Sequence, residues 1–195
     1  MPYAPAHKAR TRTRILDAAR TRFKRHGYDG VGIDTVMADA GLTRGGFYAH
    51  FKSKADLFAA VITAPDPDTP KPDLAPDTDF SKLDMLRVMA EAYLSEDHRD
   101  ERSGACPMSG LATDVRRASE DARNAYGALL GQFVSMVAPV LPADDVPAED
   151  RALGVAAAFV GGLTLSRAVG DPVLSARILE AARQAAYRTA GRKAA

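Results

Sequence analysis

The sequence predicts an all-α protein of about nine helices in two domains. Three observations predict it. Long stretches rich in Ala, Leu and Arg dominate the 195 residues. Apolar residues recur at spacings of three and four, as in helices with one buried face. No run alternates Val, Ile, Thr or Tyr with polar residues as a half-buried strand requires.

The first helix is expected over about 10–26, where Ile15, Leu16, Ala19 and Phe23 make an apolar stripe and Gly27 stands as a C-cap glycine. Tyr28 and Asp29-Gly30 then turn the chain. A second short helix over 33–40 turns Val36 and Met37 inward and stops at Gly41. Thr43 is placed to cap a third over 44–50, and Ser53 a fourth over 54–63 that carries Leu57, Phe58, Val61 and Ile62. Residues 64–79 alternate Pro65, Pro67, Pro70, Pro72 and Pro76 with acidic residues, so a linker or mobile loop is expected there. Helices resume over about 80–97, 107–119, 120–140, 148–169 and 173–190, with Pro139, Pro142, Pro147 and Asp171-Pro172 at the breaks. The expected domains are 1–63 and 80–195.

A composition of 46% hydrophobic and 26% charged residues is that of an ordinary soluble domain. No apolar run approaches the roughly 18 residues of a membrane span. Met1 to Arg14 is basic and polar, unlike a secretory signal. Cys106 is the one cysteine, so no intrachain disulfide forms, and four scattered histidines leave no structural zinc pattern. No cofactor or metal is expected, and the expected location is the cytoplasm.

The net charge of +1 hides an asymmetry. Residues 1–63 carry 11 Lys/Arg against 5 Asp/Glu, and residues 64–195 carry 15 against 20. A basic front and an acidic rear point to a polyanionic partner for the front alone. The two short helices around Gly41 fit a helix-turn-helix. In that motif the second helix enters a DNA major groove N-terminus first, its free N–H groups toward phosphates. Gly45 and Gly46 cost about 1 kcal/mol each against Ala in a helix; their use would be close backbone approach to DNA, and the other reading is that they simply fray the helix.

The run Gly27-Tyr28, followed by Met37-Ala38-Asp39-Ala40-Gly41-Leu42-Thr43-Arg44-Gly45-Gly46-Phe47-Tyr48-Ala49-His50-Phe51-Lys52-Ser53-Lys54, resembles the DNA-binding domain of the tetracycline-repressor (TetR) family. The resemblance is dense over roughly 10–62 and fades after residue 63. It implies an N-terminal three-helix helix-turn-helix domain and a C-terminal helical ligand-binding and dimerisation domain. It implies that Thr43, Arg44 and Gly45 open the recognition helix, that Tyr48 and His50 meet the DNA, and that Lys54 neutralises a phosphate. Arg12 and Arg14, with Arg10, would reach a neighbouring phosphate or the minor groove. Phe47 and Phe51 would be core, while Arg20, Arg22 and Lys24 would be solvated. The sequence departs from the pattern at Gly32-Ile33, where a capping Ser or Thr usually stands. Asp34 lies where a base-contacting residue could sit. An acid near phosphate is unfavourable, and an acid in the first helical turn also acts as a substitute cap, so it is left off the DNA contacts.

In the rear domain, Ala156, Phe159 and Leu163 on one helix and Leu174, Ile178 and Ala181 on the next are expected to form a four-helix homodimer interface, with Gly161 and Gly162 allowing close approach. A dimer reads a palindromic operator. Met85, Met89, Tyr93, Met108, Leu111, Phe133 and Met136 are candidate walls of an effector pocket, although residues at such spacing also serve as core. Cys106, where a helix begins, resembles the cysteine with which some relatives sense electrophiles or oxidants. A helix N-terminus favours the reactive thiolate, and a buried structural thiol is the other reading. The combined expectation is a repressor of double-stranded DNA released by a small molecule or an electrophile. A constitutive or architectural DNA binder without a sensor is the alternative, and an activator is also compatible. No Gly-rich phosphate loop, His-Glu-x-x-His or Gly-x-Ser-x-Gly points to an enzyme.

Overall fold

A computed structural model describes residues 5–65, 82–100 and 106–191. From residue 66 onward the expected Pro-rich linker lies outside the described residues. The described chain forms α1 (Pro5–His26), α2 (Ile33–Asp39), a 3₁₀ turn (Arg44–Ala49), α3 (Lys54–Thr63), α4 (Lys82–Tyr93) and α5 (Glu96–Asp100). There follow α6 (Pro107–Gly110), α7 (Ala112–Arg117), α8 (Glu120–Val137), a second 3₁₀ turn (Ala138–Val140), α9 (Ala148–Ala168) and α10 (Pro172–Thr189). No strand occurs among the described residues.

Two compact units divide these residues: 5–65 with Gly110–Leu129, and the rest. In the first, Ile15, Ala19 and Phe23 of α1 meet Leu57, Phe58 and Val61 of α3, all 0–1% exposed. Apart from the small Ala19, each such side chain contributes about 1.5–3 kcal/mol by leaving water. Phe23 and Phe58 meet edge to face with centroids 4.9 Å apart. Gly27 (φ +68°) and Gly41 (φ +64°) take the left-handed turn conformation that ends α1 and α2. Ser53 Oγ accepts from the Asp56 N–H at 3.0 Å while the Asp56 carboxylate accepts from the Lys52 N–H at 2.8 Å, a near-reciprocal cap that fixes the start of α3. Leu111 and Val115 complete this core, and the Asp114 carboxylate accepts from the Tyr28 N–H at 3.1 Å.

Several boundaries differ from expectation, each for a local reason. α1 starts at Pro5, not near residue 10, because proline is tolerated in a first helical turn. The stretch expected as one helix over 80–97 breaks after Tyr93, where Ser95 Oγ accepts from the His98 N–H at 3.0 Å and starts α5. The helix expected over 107–119 is interrupted at Leu111. α8 stops at Val137, two residues before Pro139.

In the second unit α9 and α10 lie against each other at very short range. A Cβ on Gly162 would fall 2.3 Å from the Ala182 Cβ, and one on Gly154 2.6 Å from Thr189 Cγ2. The pairing of 154 with 189 and 162 with 182 makes the helices antiparallel. Leu86 and Ala90 of α4, with Leu94 just beyond it, cover them, with Phe159, Leu163, Leu179 and Ala186 at the centre. Gly162→Ala should therefore cost about 1–3 kcal/mol through overpacking, read as a lower urea midpoint. Gly161→Ala, whose Cβ meets nothing within 4 Å, should leave that midpoint unchanged or raise it.

Candidate nucleic-acid interface

The first unit presents its polar face around the 3₁₀ turn. Thr43 precedes the turn in extended backbone (φ −87°, ψ 150°), and its hydroxyl makes no capping bond, contrary to the expected role. The segment winds as 3₁₀ rather than α, with Gly46 N–H bonding to Thr43 C=O and His50 N–H to Phe47 C=O. Two consecutive glycines at its start remove the propensity that would favour a longer α-helix. Phe47 and Phe51 turn inward, 0% and 2% exposed, and lock the turn to the core. Thr43, Arg44, Gly45 and Tyr48 are thereby left outward, with Tyr48 60% exposed. A Cβ on Gly45 would meet nothing within 4 Å, so that backbone is open to close approach.

Of the other expected contacts, Arg12 is exposed with its guanidinium 4.6 Å over the Phe51 ring. Arg14 instead donates from Nη2 to the Ala40 carbonyl and caps the end of α2. Lys54 also turns inward. Its ammonium donates to the Tyr28 and Val31 carbonyls at 2.9 and 3.1 Å and lies 4.3 Å over the Tyr28 ring. It pins the α1–α2 loop with the charge expected to face a phosphate.

Arg20, expected in solvent, is 5% exposed and donates to Asp17 and to the Pro65 carbonyl. Arg22 pairs with Asp39, whose carboxyl is held below its ordinary range by that hydrogen bond. Asp34, left out of the sequence-based site, belongs to the exposed face and bonds through Oδ2 to Arg44 Nη1 at 2.6 Å.

His50 is half-buried, and its Nδ1 is enclosed without a hydrogen-bond partner. Burial first, then the cations Lys8, Arg12 and His7 of α1, hold its pKa below the ordinary 6.5. The unfolded chain therefore takes up this proton more readily. Its contribution to stability is complete above pH 6.5 and is lost as pH falls through the folded-state value. Thermal melts from pH 7.5 to 5.5 should show a decline that His50→Gln reduces.

In the second unit, Met89, Tyr93 and Phe133 pack against the core. Tyr93 stacks on Phe159 at 5.1 Å, and Phe133 meets the same ring edgewise at 5.9 Å. Met85 is half-buried, and Met108 is buried at 5%. Leu111 belongs to the core of the first unit, not with these residues, and Met136 is 53% exposed. A cleft of about 570 Å³ lies elsewhere, lined by Arg99, Asp100, Ser166, Arg167, Val169, Gly170, Pro172 and Ser175, and so by none of the expected walls. Cys106 is 9% exposed, directly before α6.

The expected dimer stripe is half reversed. Ala156, Phe159 and Leu163 are 3%, 1% and 0% exposed within the protomer, so they cannot meet a partner. Gly162 receives the protomer's own α10, while Gly161 faces outward. The outward apolar side chains are Leu153, Ala157 and Leu165 on α9 and Val173, Leu174 and Ala181 on α10, with Ile178 partly exposed. Among the described residues no helix is long and apolar enough to cross a membrane, and no group of three or more His, Cys, Asp or Glu is placed to hold a metal.

A short tri-helical unit with a glycine turn, a glycine-opened reading turn and an outward row of Thr, Arg and Tyr is a helix-turn-helix domain. Residues 15–61 match the family model described as bacterial regulatory proteins, tetR family. Over those residues the chain is similar to that family. The HTH-type transcriptional regulator AcrR of Shigella flexneri is 41% identical over 51 residues, 26% of this chain and 24% of that protein. The HTH-type transcriptional repressor SCO4008 of Streptomyces coelicolor is 40% identical over 52 residues, 27% of each. The chain thus spans about a quarter of the length of the curated relatives it matches.

The fold likeness extends across both units. The reduced form of NemR from E. coli has a TM-score of 0.74 at 17% identity, covering 95% of this chain and 97% of that one. A TetR transcriptional regulator from Chloroflexus aurantiacus has 0.73 at 21%, covering 95% of each.

Proposed function

We propose that the protein is a sequence-specific transcriptional regulator, a repressor that binds a palindromic operator as a homodimer. The observation that carries this is the exposed row Thr43, Arg44, Gly45 and Tyr48 on a turn locked by Phe47 and Phe51. The match of residues 15–61 to the tetR family and the relatives named as regulators and repressors support it. Arg44 and Tyr48 reach base edges, and Arg12 and His50 lie along the phosphates. The outward side chains of α9 and α10 join the two protomers. The protein acts by binding rather than by catalysis, in the cytoplasm.

A small-molecule signal that releases the operator belongs to the same proposal. Cys106 is the thiol on which an electrophile or oxidant would act. Cys106 is the chain's one cysteine, and a solved structure of similar fold is that of a reduced form.

The test is anisotropy of a labelled duplex at 50 and 200 mM salt. If each dimer neutralises about 6–10 phosphates, affinity falls by roughly 10³–10⁵ between the two. Affinity indifferent to salt would refute DNA binding through this basic face. A phosphate beside His50 would raise its pKa, so binding takes up a proton. Affinity should then rise as pH falls from 7.5 to 6, and His50→Gln should flatten that slope.

A further inference from the structure

The exposed carboxylate of Asp34 stands on the proposed reading face, where it is electrostatically out of place. It sits in the first turn of α2, and its Oδ2 lies 2.6 Å from Nη1 of Arg44 across the helix-turn-helix. Both side chains are 64% exposed. An ion pair so exposed contributes about 0–1 kcal/mol to folding, and the carboxylate repels phosphate. As the acid in the first turn of α2, below an N-cap Gly32 without a side chain, it adds about 0.3–1 kcal/mol with the helix dipole. Stability of that size is small, and general DNA affinity is the worse for the carboxylate.

Base chemistry accounts for the carboxylate. A guanidinium fork matches the O6 and N7 acceptors of guanine. A carboxylate offers acceptors only, so it is repelled by guanine O6/N7 and thymine O4 and is matched by the N4 amino group of cytosine. Adenine presents a donor but sets the N7 acceptor beside it. The two groups are in hydrogen-bond contact, so the bases they address lie on the same or adjacent base pairs. Resting on the DNA-binding reading above, we propose that Asp34 is a specificity-determining residue. It selects cytosine in each half-site, beside or paired with the guanine taken by Arg44, and it orients the Arg44 guanidinium.

The experiment is selection from a random duplex library with the wild type, Asp34→Asn and Asp34→Ala. The wild type should enrich half-sites in which G and C occupy the same or neighbouring pairs. Asp34→Asn, nearly isosteric and in an exposed position, should change the preferred base at the cytosine position to adenine, whose N6 and N7 an amide pairs bidentately. Asp34→Ala should flatten that position, losing about tenfold or more in discrimination. The other positions should hold in both variants. Unaltered preferences in both, with affinity merely raised for every sequence, would overturn the assignment. A wild type that enriches nothing would overturn the DNA-regulator reading and this inference with it.

Discussion

Leu165→Arg combined with Val173→Glu should convert the protein to a monomer and weaken operator binding by roughly 10²–10⁴-fold, because the second half-site then loses its tethered partner. Leu165 is 58% and Val173 68% exposed, so neither substitution disturbs the protomer core. Leu153 and Leu165 of α9 and Val173 and Leu174 of α10 are exposed large hydrophobic side chains, and the proposed dimer would cover them. Two charges placed on a desolvated interface cost more than the contact supplies. Sedimentation should give the mass of one chain at micromolar concentration, with the helical circular dichroism unchanged. Phe159→Ala is the contrasting control. It empties a site that is 1% exposed and should lower stability by about 3–5 kcal/mol without selectively weakening dimerisation.

Arg44→Ala should cost about 1–3 kcal/mol per half-site, and about twice that for the dimer on its palindrome. The loss should be concentrated on the preferred sequence. Binding to unrelated duplex should fall far less, since one phosphate-independent contact leaves the counterion term intact. Lys54→Ala should behave oppositely. Its ammonium bonds to Tyr28 and Val31 carbonyls, so the change should lower the melting temperature more than it relaxes base preference. Titrating both variants against operator and scrambled duplex, alongside urea unfolding, separates the two behaviours.

Much of the front domain was legible because its signals are local. Gly27 and Gly41 end helices through backbone conformation, Ser53 caps through its own hydroxyl, and the Ile15–Ala19–Phe23 stripe has one polar and one apolar side. The roles of its basic residues were not legible. Arg14 and Lys54 are used by carbonyls distant in sequence, whereas the family resemblance implied phosphate contacts for them. Asp34 could be judged only once Arg44 was seen beside it.

The face of α9 was missed for another reason. Ala, Gly, Val and Leu surround most of that helix, so periodicity does not tell the side against α10 from the side left outward. The break before α5 did carry a signal, Ser95 followed by Glu96 and Asp97, the pattern of an N-cap and an acidic first turn.

The most direct measurement of the central claim is selection of bound sequences from a random duplex library by the purified wild-type chain. Enrichment of one palindrome, its half-sites about one helical turn apart or slightly more, is the predicted result. Uniform recovery of all sequences, in protein that remains folded and dimeric, would contradict it.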